Sequence, residues 1–110
     1  MLRYAQITGW GKYAPPLLMT NDDMAKIVDT SDEWIFSRSG IRQRHYSHIS
    51  TGDMAWLAAE QALAAAATAA DDIDLIVLGS TTPEEICPNT ASYIKNKLGA
   101  SKAAAFDLNS

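Results

Sequence analysis

The chain has 110 residues, 47% of them hydrophobic, with 9 Lys and Arg against 13 Asp and Glu and a formal charge of −4. A packed core fits that composition, disorder does not, and two ordinary domains would need a longer chain. The acidic balance excludes broad nucleic-acid binding, the lone Cys87 excludes an internal disulfide framework, and the absence of a bilayer-length apolar run or signal-type start sets the expectation of a cytoplasmic chain with no membrane partner.

In chain order, Leu2 to Tyr13 reads as a strand bent at Gly9 and Gly11 and stopped by Pro15-Pro16. Thr20 to Asp29 reads as a short helix, with Thr20 as cap, Asp22 and Asp23 at its positive end, and Met24, Ile27 and Val28 on one face. Thr30 and Glu33 have the spacing of a capping box, which starts a second helix that Gly40 ends. Ile41 to Tyr46 alternates and reads as extended. A long helix follows from about Thr51 to Ala70, capped by Ser50 or Thr51. The alanines of its second half permit close backbone approach, as for a helix held between layers.

Ile73 to Leu78 is short and β-branched, as a parallel strand buried on both faces would be. Asn89 caps a helix bearing Ala91, Ile94 and Leu98 on one face, Gly99 ends it, and Ala103 to Leu108 is the last strand. Strand, helices, strand, helix, strand is the order of an α/β protein with a mostly parallel sheet and helices on both faces.

Gly9-Trp10-Gly11-Lys12-Tyr13-Ala14 has the form of a dinucleotide fingerprint. That motif works by opening a helix onto the pyrophosphate, and Pro15-Pro16 prevents one. His45 and His48 lack a third ligand at supporting spacing, so no metal site is expected and both read as loop residues. Cys87 precedes Pro88 with no neighbouring base to activate it. Arg38, Arg42 and Arg44 form a local basic patch. Trp34 and Arg38 stand four residues apart on the second helix, placing a flat ring beside a guanidinium. The pair suits a base and a phosphate, or equally a core tryptophan and a solvated charge. Spacing leaves both open.

The run Asp29-Thr30-Ser31-Asp32-Glu33-Trp34-Ile35 with Arg38-Ser39-Gly40-Ile41-Arg42 and Arg44-His45 closely resembles the ketoacyl-acyl-carrier-protein synthase III family. Thr81-Thr82, Pro88 and Ala105-Phe106-Asp107-Leu108 extend the resemblance in register over the whole chain. It implies a thiolase-like fold, with residues 1–110 as an amino-terminal half-domain truncated before the nucleophile. It also implies a homodimer that condenses an acyl-CoA with malonyl-acyl-carrier-protein to initiate fatty-acid synthesis, with acyl-CoA as substrate and no prosthetic group.

In the family the nucleophilic cysteine follows Phe106-Asp107, at a position two residues beyond Ser110, so no catalytic residue is assigned within the chain. The residues matching Thr30, Trp34 and Arg38 line the mouth of the coenzyme A tunnel, the tryptophan against adenine. Cys87 stands where relatives often carry a phenylalanine that closes the partner's acyl pocket, which puts the usual short-acyl preference in doubt. A specialised condensing enzyme of polyketide or quinolone type is the alternative, as is a non-catalytic module for coenzyme A binding or dimerisation.

Overall fold

The computed structural model describes residues 2–109, which form two compact units: residues 14–48, and residues 2–13 with 49–109. In the first unit, β1 (Leu17–Thr20) pairs antiparallel with β2 (Gln43–Tyr46), Leu17 opposite Tyr46 and Thr20 opposite Gln43. Between them lie α1 (Asn21–Ala25) and α2 (Asp32–Ser39). Thr20 caps α1 reciprocally with Asp23: its Oγ1 accepts from the Asp23 amide, and the Asp23 carboxylate accepts from the Thr20 amide. The helix stops at Ala25, short of the expected Asp29, and Ile27 and Val28 stay exposed.

The cap of α2 is Ser31, not Thr30. Ser31 Oγ accepts from the Trp34 amide at 3.1 Å, and the extended backbone of Ser31 aims it there. Gly40 ends α2 at φ 70°, a left-handed conformation that a side chain would strain. One polar knot holds the unit. Asn21, 1% exposed, donates to Asp32 Oδ1 and the Ile41 carbonyl, each at 2.8 Å, and accepts from Arg44 at 2.6 Å. Asp32 also takes Arg42 at 2.7 Å, so one carboxylate ties α1, α2 and the approach to β2.

In the second unit, α3 (Thr51–Ala66) is capped by Ser50 and turns out at Ala67 through a left-handed residue, earlier than the expected Ala70. A single 3-10 turn (Ala70–Asp72) leads to β3 (Leu75–Gly79). Then come α4 (Thr90–Leu98), capped by Asn89 and ended by Gly99, and β4 (Ala104–Leu108). β3 and β4 pair in parallel, Leu75 beside Ala104 and Val77 beside Phe106. Asp107 joins strand to helix: its two carboxylate oxygens accept from the Thr90 and Ala91 amides at 2.9 and 2.7 Å. Both are donors that the first turn of α4 leaves unpaired.

Two expectations fail here. Leu2 to Tyr13 forms no strand; Gly9 to Lys12 lie against α3. A Cβ on Gly9 would come within 2.5 Å of the Ala62 carbonyl oxygen, and one on Gly11 within 2.2 Å of that of Ala58. The glycines thus serve close approach to the alanine helix instead of bending a strand. Nor is β3 covered on both faces. Leu75 and Val77 are 51% and 49% exposed, and Phe106 and Leu108 of β4 share their exposure. Within the described residues α4 packs on the sheet, and the fully buried apolar residues are Ala91, Ile94, Ala100 and Ala103.

Candidate functional site

Residues 14–48 hold three of the four residues singled out in the sequence. Because Ser31 caps α2, Thr30 stands just outside the helix; its Oγ1 is buried with no hydrogen-bond partner among the described residues. Trp34 is 57% exposed, so no core within the described residues covers its ring. Arg38, one turn on, sets its guanidinium 4.9 Å from the Trp34 ring centroid. The helix therefore presents a ring face and a cation side by side.

The three arginines of the basic patch divide by role. Arg42 is bound by Asp32 and lies 3.7 Å over the Phe36 ring. Arg44 is spent on Asn21 and on the Met19 and Thr20 carbonyls. Arg38 has no acidic partner among the described residues, and its position in the last turn of α2 leaves its charge available to an anion. Sequence alone could not make this division, since the three look alike until the Asn21 knot claims two of them. His45 Nδ1 engages the Pro15 carbonyl oxygen.

Cys87 belongs to the other unit. It is exposed, its thiol is free, and the peptide to Pro88 is cis. It stands in the loop between β3 and α4, beside Ile86, which is 98% exposed. At the base of this loop, Ser50, Glu84, Pro88, Asn89 and Tyr93 line a cleft of about 310 Å³. Sequence reading missed Glu84: it accepts from the Gly52 amide at 2.8 Å and lies 3.5 Å from the Thr90 hydroxyl. No helix among the described residues is long and apolar enough to cross a membrane.

No protein-family model matches the chain. Over 106 residues, 96% of the chain, it is 52% identical to beta-ketoacyl-[acyl-carrier-protein] synthase III 2 of Vibrio vulnificus. Over 108 residues it is 52% identical to beta-ketoacyl-[acyl-carrier-protein] synthase III of Xanthomonas oryzae. It spans 29% and 33% of the lengths of these two relatives. Among solved structures, 3-oxoacyl-[acyl-carrier-protein] synthase III from Aquifex aeolicus is similar with a TM-score of 0.85 and 42% identity, over 93% of this chain and 33% of that one. The priming beta-ketosynthase of the R1128 polyketide pathway gives a TM-score of 0.89 at 31% identity, over 96% of this chain and 32% of that one.

Parallel strands, the helix packed on them and this likeness define an α/β protein of the thiolase-like class. Over 96% of its length the chain is similar to proteins named beta-ketoacyl-acyl-carrier-protein synthase III, and it spans about a third of their length.

Proposed function

We propose that the chain is the nucleotide-binding end of a 3-oxoacyl-acyl-carrier-protein synthase III, an acyltransferase that condenses an acyl-CoA with malonyl-acyl-carrier-protein. The observation that carries the proposal is the exposed Trp34 ring with the Arg38 guanidinium 4.9 Å from its centroid, in a chain about half identical to named synthases. An adenine stacks on such a ring, and an unspent guanidinium pairs with phosphate. Thr30 adds a hydroxyl that nothing else among the described residues satisfies.

The chemistry is acyl transfer. A cysteine thiolate takes the acyl group from the CoA thioester, and the enolate formed when malonyl thioester loses carbon dioxide attacks the acyl-enzyme. The thiolate and the donors that stabilise the enolate are proposed to come from the part of the enzyme that follows this chain. Cys87 is proposed to border the acyl pocket in a homodimer, as its family position implies, and the enzyme is proposed to work in the cytoplasm without a prosthetic group.

Trp34→Ala in the full-length protein tests the nucleotide end. Affinity for an acyl-CoA should fall by roughly 1–3 kcal/mol, the scale of stacking a base on an aromatic ring, with the unfolding transition unchanged. Calorimetric titration and thermal unfolding together decide it. Unchanged affinity with a stability loss of about 3–5 kcal/mol, the cost of truncating a core aromatic, would overturn the assignment.

A further inference from the structure

The loop between β3 and α4 carries Cys87, and most of its residues face solvent. A loop of this kind holds one shape only if something fixes it near its middle. Glu84 is the side chain that does so. Its Oε1 accepts from the Gly52 amide at 2.8 Å, and its Oε2 lies 3.5 Å from the Thr90 hydroxyl. Gly52 is in the first turn of α3 and Thr90 opens α4, so one carboxylate spans two helix starts, where unpaired amides and the helix dipoles favour negative charge.

The surroundings are shaped for that reach. Ser50 caps α3 through the Asp53 amide and leaves the Gly52 amide for Glu84. Asp107 already takes the Thr90 and Ala91 amides, so only the Thr90 hydroxyl remains for Glu84. Gly52 is buried, and a Cβ there would come within 2.9 Å of the Tyr93 ring and 3.2 Å of Thr90 Cγ2. A larger residue would push α3 and α4 apart and lengthen the gap that Glu84 bridges.

We infer that Glu84 is a positioning residue: its carboxylate clasps the β3–α4 loop onto the starts of α3 and α4 and so fixes where Cys87 stands. The clasp rests on geometry within residues 49–109; its consequence for acyl-chain selection rests on the function proposed above. Glutamine at this position keeps the length and an acceptor oxygen, so it should preserve the clasp. Alanine abolishes it. Aspartate is one methylene too short to span both partners and serves in place of alanine if that variant fails to fold.

The test uses the full-length protein with Glu84→Ala and Glu84→Gln, read by amide hydrogen exchange resolved to peptides and by kcat/KM across a series of acyl-CoA chain lengths. In Glu84→Ala, peptides covering residues 80–88 and the start of α3 should exchange roughly tenfold faster, the scale of one lost hydrogen bond to a charged acceptor. Glu84→Gln should stay near wild type. The ratio of long-chain to short-chain kcat/KM should move in the alanine variant and return in the glutamine variant. Unchanged exchange in the alanine variant overturns the clasp. Faster exchange with an unchanged chain-length ratio upholds the clasp and instead counts against Cys87 as part of the acyl pocket.

Discussion

Asp53, in the first turn of α3, accepts a 2.6 Å hydrogen bond from the Tyr93 hydroxyl and has Lys97 Nζ at 3.7 Å. The Tyr93 hydrogen bond holds the Asp53 carboxyl below its ordinary value of 3.8, and the same bond raises the Tyr93 hydroxyl above its ordinary 10.0. A carboxyl lowered on folding contributes stability that is whole above its unfolded value and is lost as pH falls through the folded one. A hydroxyl raised on folding contributes stability that is whole below 10.0 and is lost as pH rises through its folded value. Tyr93→Phe in the full-length protein should therefore flatten the stability profile at both the acid and the alkaline limb and lower the plateau between them. Denaturant unfolding across pH reads this directly. Identical slopes in variant and wild type would show that the pair does not couple α3 to α4.

Cys87 is proposed to border the acyl pocket, at a position where the family resemblance implies that relatives often carry phenylalanine. A phenylalanine there would fill space that cysteine leaves open. Each buried methylene is worth about 0.8 kcal/mol, so two or three further substrate carbons shift preference by roughly one to two orders of magnitude. Cys87→Phe should narrow the full-length enzyme toward short acyl-CoAs with little loss on acetyl-CoA. A chain-length profile that is the same before and after the substitution would remove Cys87 from the pocket.

At the scale of the elements, the start of α2 shows how far a local rule reaches. Thr30 and Glu33 have the spacing of a capping box, yet Ser31 makes the cap, because its extended backbone brings Oγ to the Trp34 amide. Two adjacent residues both had the chemistry, and only the entry angle of the chain chose between them. Ser31→Ala should cost about 1 kcal/mol, the usual worth of an N-cap. Thr30→Val, which removes a buried hydroxyl that has no partner among the described residues, should be neutral or slightly stabilising. Denaturant unfolding of both variants checks the order, and a larger loss at Thr30 would reverse the cap assignment.

The helices with strong end signals were legible: Ser50, Asn89, Gly40 and Gly99 all stand where the sequence places them. The alanine tract of α3 carried no stop signal, so its end at Ala67 depended on the turn that follows. β1 went unread because its four residues earn a ladder only from β2, 29 residues further along at the outermost pair, Leu17 with Tyr46, and 23 at the nearest, Thr20 with Gln43.

On the scale of the whole molecule, the pattern of residues announced more cover than the chain itself provides. Leu75, Val77, Phe106 and Leu108 read as buried strand residues and stand about half exposed. Their sequence is tuned to neighbours that residues 2–109 do not supply. The proposed binding pair was legible as a possibility through the spacing of Trp34 and Arg38. What supports that proposal beyond spacing is the exposure of the ring within the described residues, and the Asn21 knot that occupies Arg44 while Asp32 occupies Arg42. Glu84 could not be read at all, since its partners lie 32 residues before it and 6 after, and only the fold brings them together.

As proposed above, this chain works as the amino-terminal part of a condensing acyltransferase. The most direct test is an assay of the full-length protein, and of the 110-residue chain alone, with acyl-CoA and malonyl-acyl-carrier-protein, following carbon dioxide and 3-oxoacyl-carrier-protein together. The account predicts stoichiometric release of both by the full-length protein and none above the blank by the isolated chain. A full-length protein that binds acyl-CoA without condensing it, or an isolated chain that turns over, would contradict it.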